Sequence, residues 1–589
     1  MGERKRKVKN MSQRKTKSPE NALFDGFSGI DTRFSHAKKC GSSDVRNFRI
    51  VDGGAMKKRY GFAHYAALDS NVRAVWTGML NESEKCVMLC GSSVIMFDAG
   101  SSAPQTLGSV GTDSGKACFF YYRDRMYLAD GKKIYELDLT YSRVIATIGY
   151  IPLIGKDWQT GTAGAIHEPR NLLCDKGRIS YKIEAYPTVY LNTGWMAQRI
   201  DAVYLNGELV DPSNYSYNYK FHTVDLSGMK EGDEVLVYVT YYSPENINIT
   251  NGLFTCTSAM NFGSVGGDRI FMWGGANKST LYCSDFVSND SMQDSLAANQ
   301  ASSPLYFPIG YEFSAGDGRH AVQAATRHYD RLLVFTESDA WNAEIGVNGL
   351  KDIPLSSINT GAGCSSGCAV GMAGNSPVSV GKHTIFAWNA DTDEFNECNA
   401  KSISEAIDPL LPDSFYKNAI VFNAQKYGEI WFHEKGNEST WVYNIQKDLW
   451  YRFTGFDADG FFEFEGNIFF YDANNIFYFN EDHLFDIDEN NTEHLIDSVF
   501  ISHPLEFGTD SYKRLEALNI HADTDFAKIS VNIDTDRTTP LEFFIMEKAK
   551  HSVVKRRLHS GRFNYATLTI GSSDNRSPKI YSAEIKAKG

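Results

Sequence analysis

Gly363-Cys364-Ser365-Ser366-Gly367 sets a serine between two glycines at the spacing of a nucleophile elbow. An elbow needs a strand before the serine and a helix after it, so that a sharp turn presents the hydroxyl. Ser356-Ser357-Ile358-Asn359-Thr360-Gly361 precedes it and reads as loop, so a flexible Gly/Ser/Cys loop is expected instead of a nucleophile. Asp486-x-Asp488-x-Asn490 spaces three oxygen donors like the first half of a calcium loop. The sixth position, where the sharp turn needs glycine, is Asn491, and Asp497 stands at the twelfth in place of glutamate. An acidic turn is the expectation there. Cys86 and Cys90 are four apart, as are Cys364 and Cys368, and neither pair has histidine at ligand spacing. On a strand Cys86 and Cys90 face the same side and read as small buried hydrophobes. His167-Glu168 lacks the second histidine of a zinc-protease helix. No Gly-x-Gly-x-x-Gly or Walker motif follows a strand, and the Ser-x-Asp-x-Gly-x-Thr-Trp box of sialidase propellers is absent. No catalytic, cofactor-binding or metal-ligating residue is assigned, and the chain reads as a non-enzyme without a cofactor.

The elements around these residues are strands. A hairpin recurs in which a polar or Gly-containing turn leads into an alternating apolar strand, a short turn and a second strand. Lys85–Cys90 precedes Ser93–Phe97, and Asp124–Leu128 precedes Ile134–Leu137. Asp268–Trp273 precedes Thr280–Cys283, and Asp330–Phe335 precedes Ala340–Ala343. Lys382–Trp388 precedes Glu394-Phe395, Gly428–Phe432 precedes Thr440–Tyr443, and Gly466–Tyr471 precedes Ile476–Phe479. The later starts are 62, 52, 46 and 38 residues apart, close to the roughly 40–50 residues of a four-stranded blade. The expected fold is all-β: a β-propeller of about seven blades, six to eight being allowed, whose radial repetition leaves only short sheet edges.

Two regions leave the repeat. Between Asp124 and Asp268, Ala202–Leu205, the turn Asn206-Gly207 and Val235–Thr240 predict a small inserted β-sandwich. After residue 495, longer strands are expected at Leu515–His521, Ala527–Ile533, Leu541–Met546, Arg562–Ile570 and Ile580–Ile585, forming a C-terminal β-sandwich around a basic stretch, Lys548–Arg557. The resulting division is a basic disordered arm over 1–20, an N-terminal segment with the first blades over 21–155, the insertion over 156–250, the remaining blades over 251–495, and the C-terminal sandwich over 496–589. One helix is expected at Ser402–Leu411, capped by Ser404.

Composition agrees with this division and narrows function. The 589 residues include 31 Tyr, 37 Phe, 9 Trp and 49 Gly but only 16 Pro, a balance that favours many short strands and tight turns. The net charge is −13, which argues against coating nucleic acid with the whole surface. Residues 1–17 run the other way, with Arg4, Lys5, Arg6, Lys7, Lys9, Arg14, Lys15 and Lys17 against Glu3. Such an arm suits an assembly tether or a nucleic-acid contact, and either Met1 or Met11 serves as a start. No apolar run reaches the 18 residues of a membrane-spanning helix, and no apolar core follows the basic start as in a signal peptide. No membrane insertion is expected. The ten Cys lack the spacing of a disulfide framework and suit a reducing cytoplasm.

Asn47-Phe-Arg-Ile-Val-Asp-Gly-Gly54 with Lys58-Arg-Tyr-Gly61 resembles the N-terminal segment of tail nozzle or tail hub proteins, the head-closure β-propellers of short-tailed bacteriophages. Asp330–Thr336, Gly381–Trp388 with Lys401–Ser404 and Ile407, and Leu449-Trp-Tyr-Arg-Phe453 with Gly466–Tyr471 resemble blade strands of that family. The resemblance covers residues 45–150 and 260–515, and omits the arm and the insertion. It implies a structural virion protein, made in the host bacterial cytoplasm and forming a homo-hexameric ring in the tail below the portal and adaptor. Tail proteins and tail fibres would be its neighbours. Double-stranded DNA would pass through the lumen without sequence-specific binding, along walls to which acidic loops such as Asp391–Glu394 and Glu481–Glu489 contribute. Two other readings stay open. One is a lectin-like or receptor-binding propeller using Trp and Tyr platforms, although Trp273, Trp388, Trp431 and Trp441 fall in strands and read as core. The other is a glycan-cleaving propeller enzyme, against which the missing box speaks.

Overall fold

The computed structural model describes residues 20–589 apart from 34–40, 81, 140–141, 148, 160–163, 184–187, 191–196, 242–251, 265–266, 288–302, 317, 330, 344–354, 390–399, 510 and 549. The basic arm, Asp391–Glu394 and Glu394-Phe395 lie outside the described residues.

Seven four-stranded antiparallel units follow one another. The first runs Val72–Leu80, Ser83–Cys90, Ser93–Asp98 and Gln105–Ser109, and the second Cys118–Tyr122, Arg125–Ala129, Ile134–Asp138 and Arg143–Ala146. The third begins with Ser258–Ser264, the fourth with Val322–His328, the fifth with Val370–Ala373, the sixth with Ala419–Ala424 and the seventh with Gly460–Phe464. Each of these leading strands touches the leading strand of the next unit, and that of the seventh touches that of the first. The circle is closed, and the fold is a β-propeller. Closure uses the chain's early part: Gly61–Ala67 pairs with Asn475–Asn480 as the outer strand of the seventh unit.

The middle strands are apolar on both faces because each blade is packed between two others. In Ser83–Cys90, Cys86, Met88 and Cys90 meet Phe462, Phe464 and Phe469 of the seventh blade, while Val87 and Leu89 meet Met126 and Leu128 of the second. Most of the recurrent hairpins are therefore the second and third strands of a blade. Lys382–Trp388 departs from this: its strand, Ile385–Trp388, is the third of its blade, and Ser376–Val380 is the second.

The insertion leaves between the second and third blades. Leu153–Gln159, Lys176–Lys182, Glu234–Tyr241, Ala197–Leu205 and Glu208–Leu209 form one sheet, in that order, and Thr188–Tyr190, Thr223–Leu226 and Tyr215–Asn218 a second. Its own core holds Ile154, Trp158, Ile179, Tyr181, Val203, Val224, Val235 and Val237. At its base the buried Arg178 donates to the Ile151 carbonyl at 2.9 Å and to the Tyr150 hydroxyl at 2.8 Å.

The described residues of 22–58, grouped by sequence with the first blades, belong instead to the C-terminal unit. Ala22–Asp25 and Met56–Lys58 both pair with Lys579–Lys588, which also pairs with Arg514–Asp523. Ser42–Arg46 lies between the blade strand Leu449–Thr454 and the sandwich strand Ser498–Ser502. A nine-stranded sheet thus starts in the sixth blade and ends at Leu541–Ile545. Such pairings join residues some 450 positions apart, which no local periodicity encodes.

The expected helix at Ser402–Leu411 is not formed. The Ser404 hydroxyl accepts the Ile385 amide at 2.9 Å, and Pro409 and Pro412 supply no amide, so only the 3-10 turn Asp408–Leu410 follows. A short α-helix comes after Pro412, at Asp413–Asn418.

Candidate assembly surface

The last two strands of the nine-stranded sheet are Ile529–Thr535 and Leu541–Ile545, paired Ile529 with Ile545, Ser530 with Phe544 and Val531 with Phe543. Side chains alternate across a sheet. Ile529, Val531, Ile533 and Ile545 point inward and are buried against Leu518, Ile520, Leu568 and Ile570. The alternate positions should be polar, yet Phe544 is 58% exposed and the following Met546 59%. Phe526, in the turn before Ile529, is 49% exposed.

That turn is unusual. Asp525 and Phe526 have φ of 42° and 63°, a left-handed conformation that is rare for a bulky residue and costs on the order of 1 kcal/mol or more at each site. Its neighbours brace it. The Ala527 amide donates to the Thr524 carbonyl at 2.7 Å, Arg576 Nη1 donates to the Asp525 carbonyl at 2.8 Å, and the Thr524 hydroxyl donates to the Glu547 carbonyl. Tyr581 donates its hydroxyl to Asp523 at 2.6 Å, and the His551 amide donates to the same carboxylate. The Tyr581 hydrogen bond, followed by that of His551, holds the Asp523 carboxyl below its usual range, and Tyr581 is pushed up to about 12.

Cations frame the apolar side chains. The Lys528 ammonium lies 4.0 Å from the Phe544 ring centroid and that of Lys548 5.8 Å from the ring of Phe526. Lys550 follows, and Lys555, Arg556 and Arg557 lie on Ser552–Arg557, a strand of the other sheet, where Arg556 pairs with Glu547 at 2.6 Å. Residues 511–589 carry 14 Lys and Arg against 9 Asp and Glu in a chain of net charge −13. The strand Leu541–Ile545 is also a sheet edge, with one row of backbone groups outside the ladder. An exposed edge, projecting aromatic groups and a basic rim are what a protein partner with an acidic face would cover.

The residues singled out from sequence have other work. Gly363–Gly367 connects the strand Leu355–Thr360 to Val370–Ala373, with no helix after the serine. Cys364 is buried and its thiol is pushed up to about 12 by that burial. Burial likewise raises the Cys86 thiol, and that of Cys90 to about 12, so neither is a ready thiolate. Asp486 is buried against Arg59, whose Nη1 and Nη2 donate at 2.8 and 2.7 Å. Asp488 instead accepts the amides of Asn490 and Thr492 at 2.9 and 2.8 Å, so the two carboxylates do not converge. Among the described residues no group of His, Cys, Asp and Glu could hold a metal ion. Glu168 accepts the Tyr150 hydroxyl at 2.9 Å and the Leu153 amide at 2.5 Å, at the base of the insertion. Of the acidic stretch Glu481–Glu489, Asp486 is committed to Arg59, while Glu481, Asp482 and Glu489 are exposed.

The sequence reading missed Phe526, Phe544 and Met546. A signal was present: Phe543-Phe544 on one strand forces one ring outward, because the period is two.

No protein-family model and no curated protein matches the chain. Solved structures are similar to it only distantly. The extracellular domain of BT4673 from B. thetaiotaomicron aligns with 93% of this chain at 8% identity and a TM-score of 0.37. The chain covers 63% of that domain's length. The AfRom2 CNH domain aligns at 7% identity over 70% of this chain and 98% of its own, with a TM-score of 0.35. A chain of the mitotic checkpoint complex aligns at 8% identity over 72% and 94%, with a TM-score of 0.34.

Proposed function

We propose that the chain is a structural virion protein that forms a closed ring in a short-tailed phage tail, as nozzle or hub, and guides the genome outward. The observation that carries this reading is the uncovered face of Phe526, Phe544 and Met546, held at the end of a sheet rooted in the sixth blade. A ring requires head-to-tail contacts between different patches of identical chains, and a basic apolar edge on an acidic body supplies one half of such a contact. The resemblance of the blade strands to nozzle proteins supplies the setting: a homo-hexamer below portal and adaptor, with double-stranded DNA passing through. The net charge of −13 suits that passage, since each Lys or Arg held against phosphate would add a salt-sensitive contact.

The test is mass. Light scattering on the purified chain and imaging of particles should give a hexamer. Replacing Phe544→Glu and Met546→Glu together should give monomers, with folding stability within about 0.5 kcal/mol because both side chains are exposed. A chain that stays monomeric, in solution and in particles, rules the reading out.

A further inference from the structure

A cleft of about 420 Å³ opens between the third and fourth blades. One wall is the segment leaving the third blade, with Gly316, Arg319 and His320. The other is the fourth blade, with Asp339 and Trp341 on the strand Asp339–Ala343 and Ser357 and Thr360 on the strand Leu355–Thr360. The volume lies within the roughly 300–1,000 Å³ usual for small-molecule sites.

Trp341 is the distinctive member. The indole N–H groups of Trp158, Trp273, Trp388, Trp431 and Trp450 each donate to a protein oxygen, at 3.2, 3.2, 2.9, 3.0 and 2.8 Å. Trp341 Nε1 is shielded from solvent and has no hydrogen-bond partner among the described residues. A buried indole N–H ordinarily finds an acceptor, and one without calls for an explanation. The ring leans on the cluster of Phe262, Trp273, Leu332 and Val334 and also lines the cleft. Gly316, at φ +69°, keeps the ring uncrowded: a Cβ there would lie 3.2 Å from Trp341 Cζ2.

The polar groups are complementary to hydroxyls. Asp339 Oδ2 accepts from Ser338 Oγ at 3.0 Å and from Thr336 Oγ1 at 3.4 Å, which leaves Oδ1 for a further donor. Ser357 and Thr360 present hydroxyls that both donate and accept, and Arg319 adds donors only. An aromatic ring flanked by an acceptor, a donor and two amphoteric hydroxyls matches a ligand with an apolar ring face and equatorial hydroxyls. We propose that this cleft binds a saccharide ring, stacked on Trp341 and hydrogen-bonded through Asp339, Ser357 and Thr360. The inference is independent of ring assembly, because the cleft lies on blades remote in the fold from the C-terminal edge.

The test uses the full-length chain with glucose, N-acetylglucosamine and glucuronate as probes, read by saturation-transfer NMR and calorimetry. At least one probe should bind with a Kd on the order of 1 mM, as expected for a ligand of this size. Asp339→Asn keeps the shape of the side chain but removes the carboxylate acceptor, and should weaken binding about 5–10-fold. Ser357→Tyr fills the cleft from an exposed strand position, leaves the core intact, and should abolish binding. The Phe544→Glu, Met546→Glu double variant should bind as wild type does, so failure of assembly and failure of this site read out separately. The proposal is overturned if no probe binds below about 20 mM, or if Ser357→Tyr binds as well as wild type.

Discussion

Among the places where the molecule sets cations against aromatic rings, the seam beneath the sixth blade and the C-terminal edge differ in how far they are covered. At the seam between the N-terminal segment and the sixth blade, Arg49 lies 3.8 Å from the Tyr427 ring centroid and pairs with Glu429 at 2.6 Å. Glu429 also accepts from the Tyr451 hydroxyl at 2.5 Å and the Trp431 indole at 3.0 Å. Next to it, Arg59 holds Asp486, the Asn47 side chain at 3.0 Å and the Thr454 carbonyl at 2.9 Å. Burial alone would lower the Arg49 pKa, but Glu429 outweighs it and the net shift is upward. At the C-terminal edge, Lys528 and Lys548 sit over Phe544 and Phe526 in the same manner, but the outer faces of those rings meet solvent. The seam shows what the edge lacks: a carboxylate paired with the cation over the ring, a second aromatic layer and exclusion of water. On the reading proposed above, the edge is half of an interface whose other half a neighbouring chain would bring.

Breaking the seam should therefore cost folding stability, whereas breaking the edge should cost only assembly. The largest effect is expected for Glu429→Ala, which leaves the buried Arg49 charge and the Tyr451 hydroxyl without their acceptor. Removing one partner of a buried pair costs about 3–5 kcal/mol, and denaturant unfolding should show it; a loss below about 1 kcal/mol would mean that the seam is solvated, as surface pairs are. Gly61→Ala comes next. A Cβ at Gly61 would lie 2.0 Å from the Phe485 carbonyl oxygen, so the closing strand or the 485–487 strand must shift. Overpacking of this kind costs about 1–3 kcal/mol. A wild-type melting curve for Gly61→Ala would count against the tight packing of Gly61 on the 485–487 strand.

The two regions also differ in how far the sequence foretells them. The middle strands of the blades are readable because both faces are buried, and Arg331–Thr336 or Asn467–Asp472 are apolar almost throughout. Outer strands such as Gln105–Ser109 and Arg143–Ala146 are short and mostly exposed or half-exposed, and carry no such signal. The seam is hidden for another reason. Arg49 and Glu429 are 380 positions apart, and each taken alone resembles a solvated surface charge. Similarly, Asp486 reads from sequence as part of an acidic turn because its cationic partner, Arg59, is 427 residues away. The edge is hidden least: Phe543-Phe544 announces an outward ring, but only the sheet order reveals that no strand covers it.

Lys58 sharpens the comparison, because it is a cation at the seam without a carboxylate partner. It is buried, and its ammonium donates to the Asp574 carbonyl. Desolvation is the main cause that lowers its pKa, to about 8, with the neighbouring Arg59 adding to the effect. In the unfolded chain a lysine titrates near 10.4. Below pH 8 both states hold the proton, and the cost of burying the charge is fully present. Between about 8 and 10.4 the unfolded chain binds more protons than the folded one, so this residue makes stability rise with pH, by at most about 1.4 kcal/mol per pH unit. Tyr427 and Tyr451, whose hydroxyls are raised chiefly by burial, act in the opposite sense once pH passes the unfolded tyrosine value near 10, which bounds the useful window. Unfolding free energies of wild type and Lys58→Met from pH 7.5 to 9.5 should therefore diverge, with wild type gaining on the variant as pH rises. Arg49, whose pKa Glu429 raises, remains charged across that window and cancels in the difference. Parallel curves would mean that Lys58 is hydrated in the folded protein, and that the seam is dry only around its arginines.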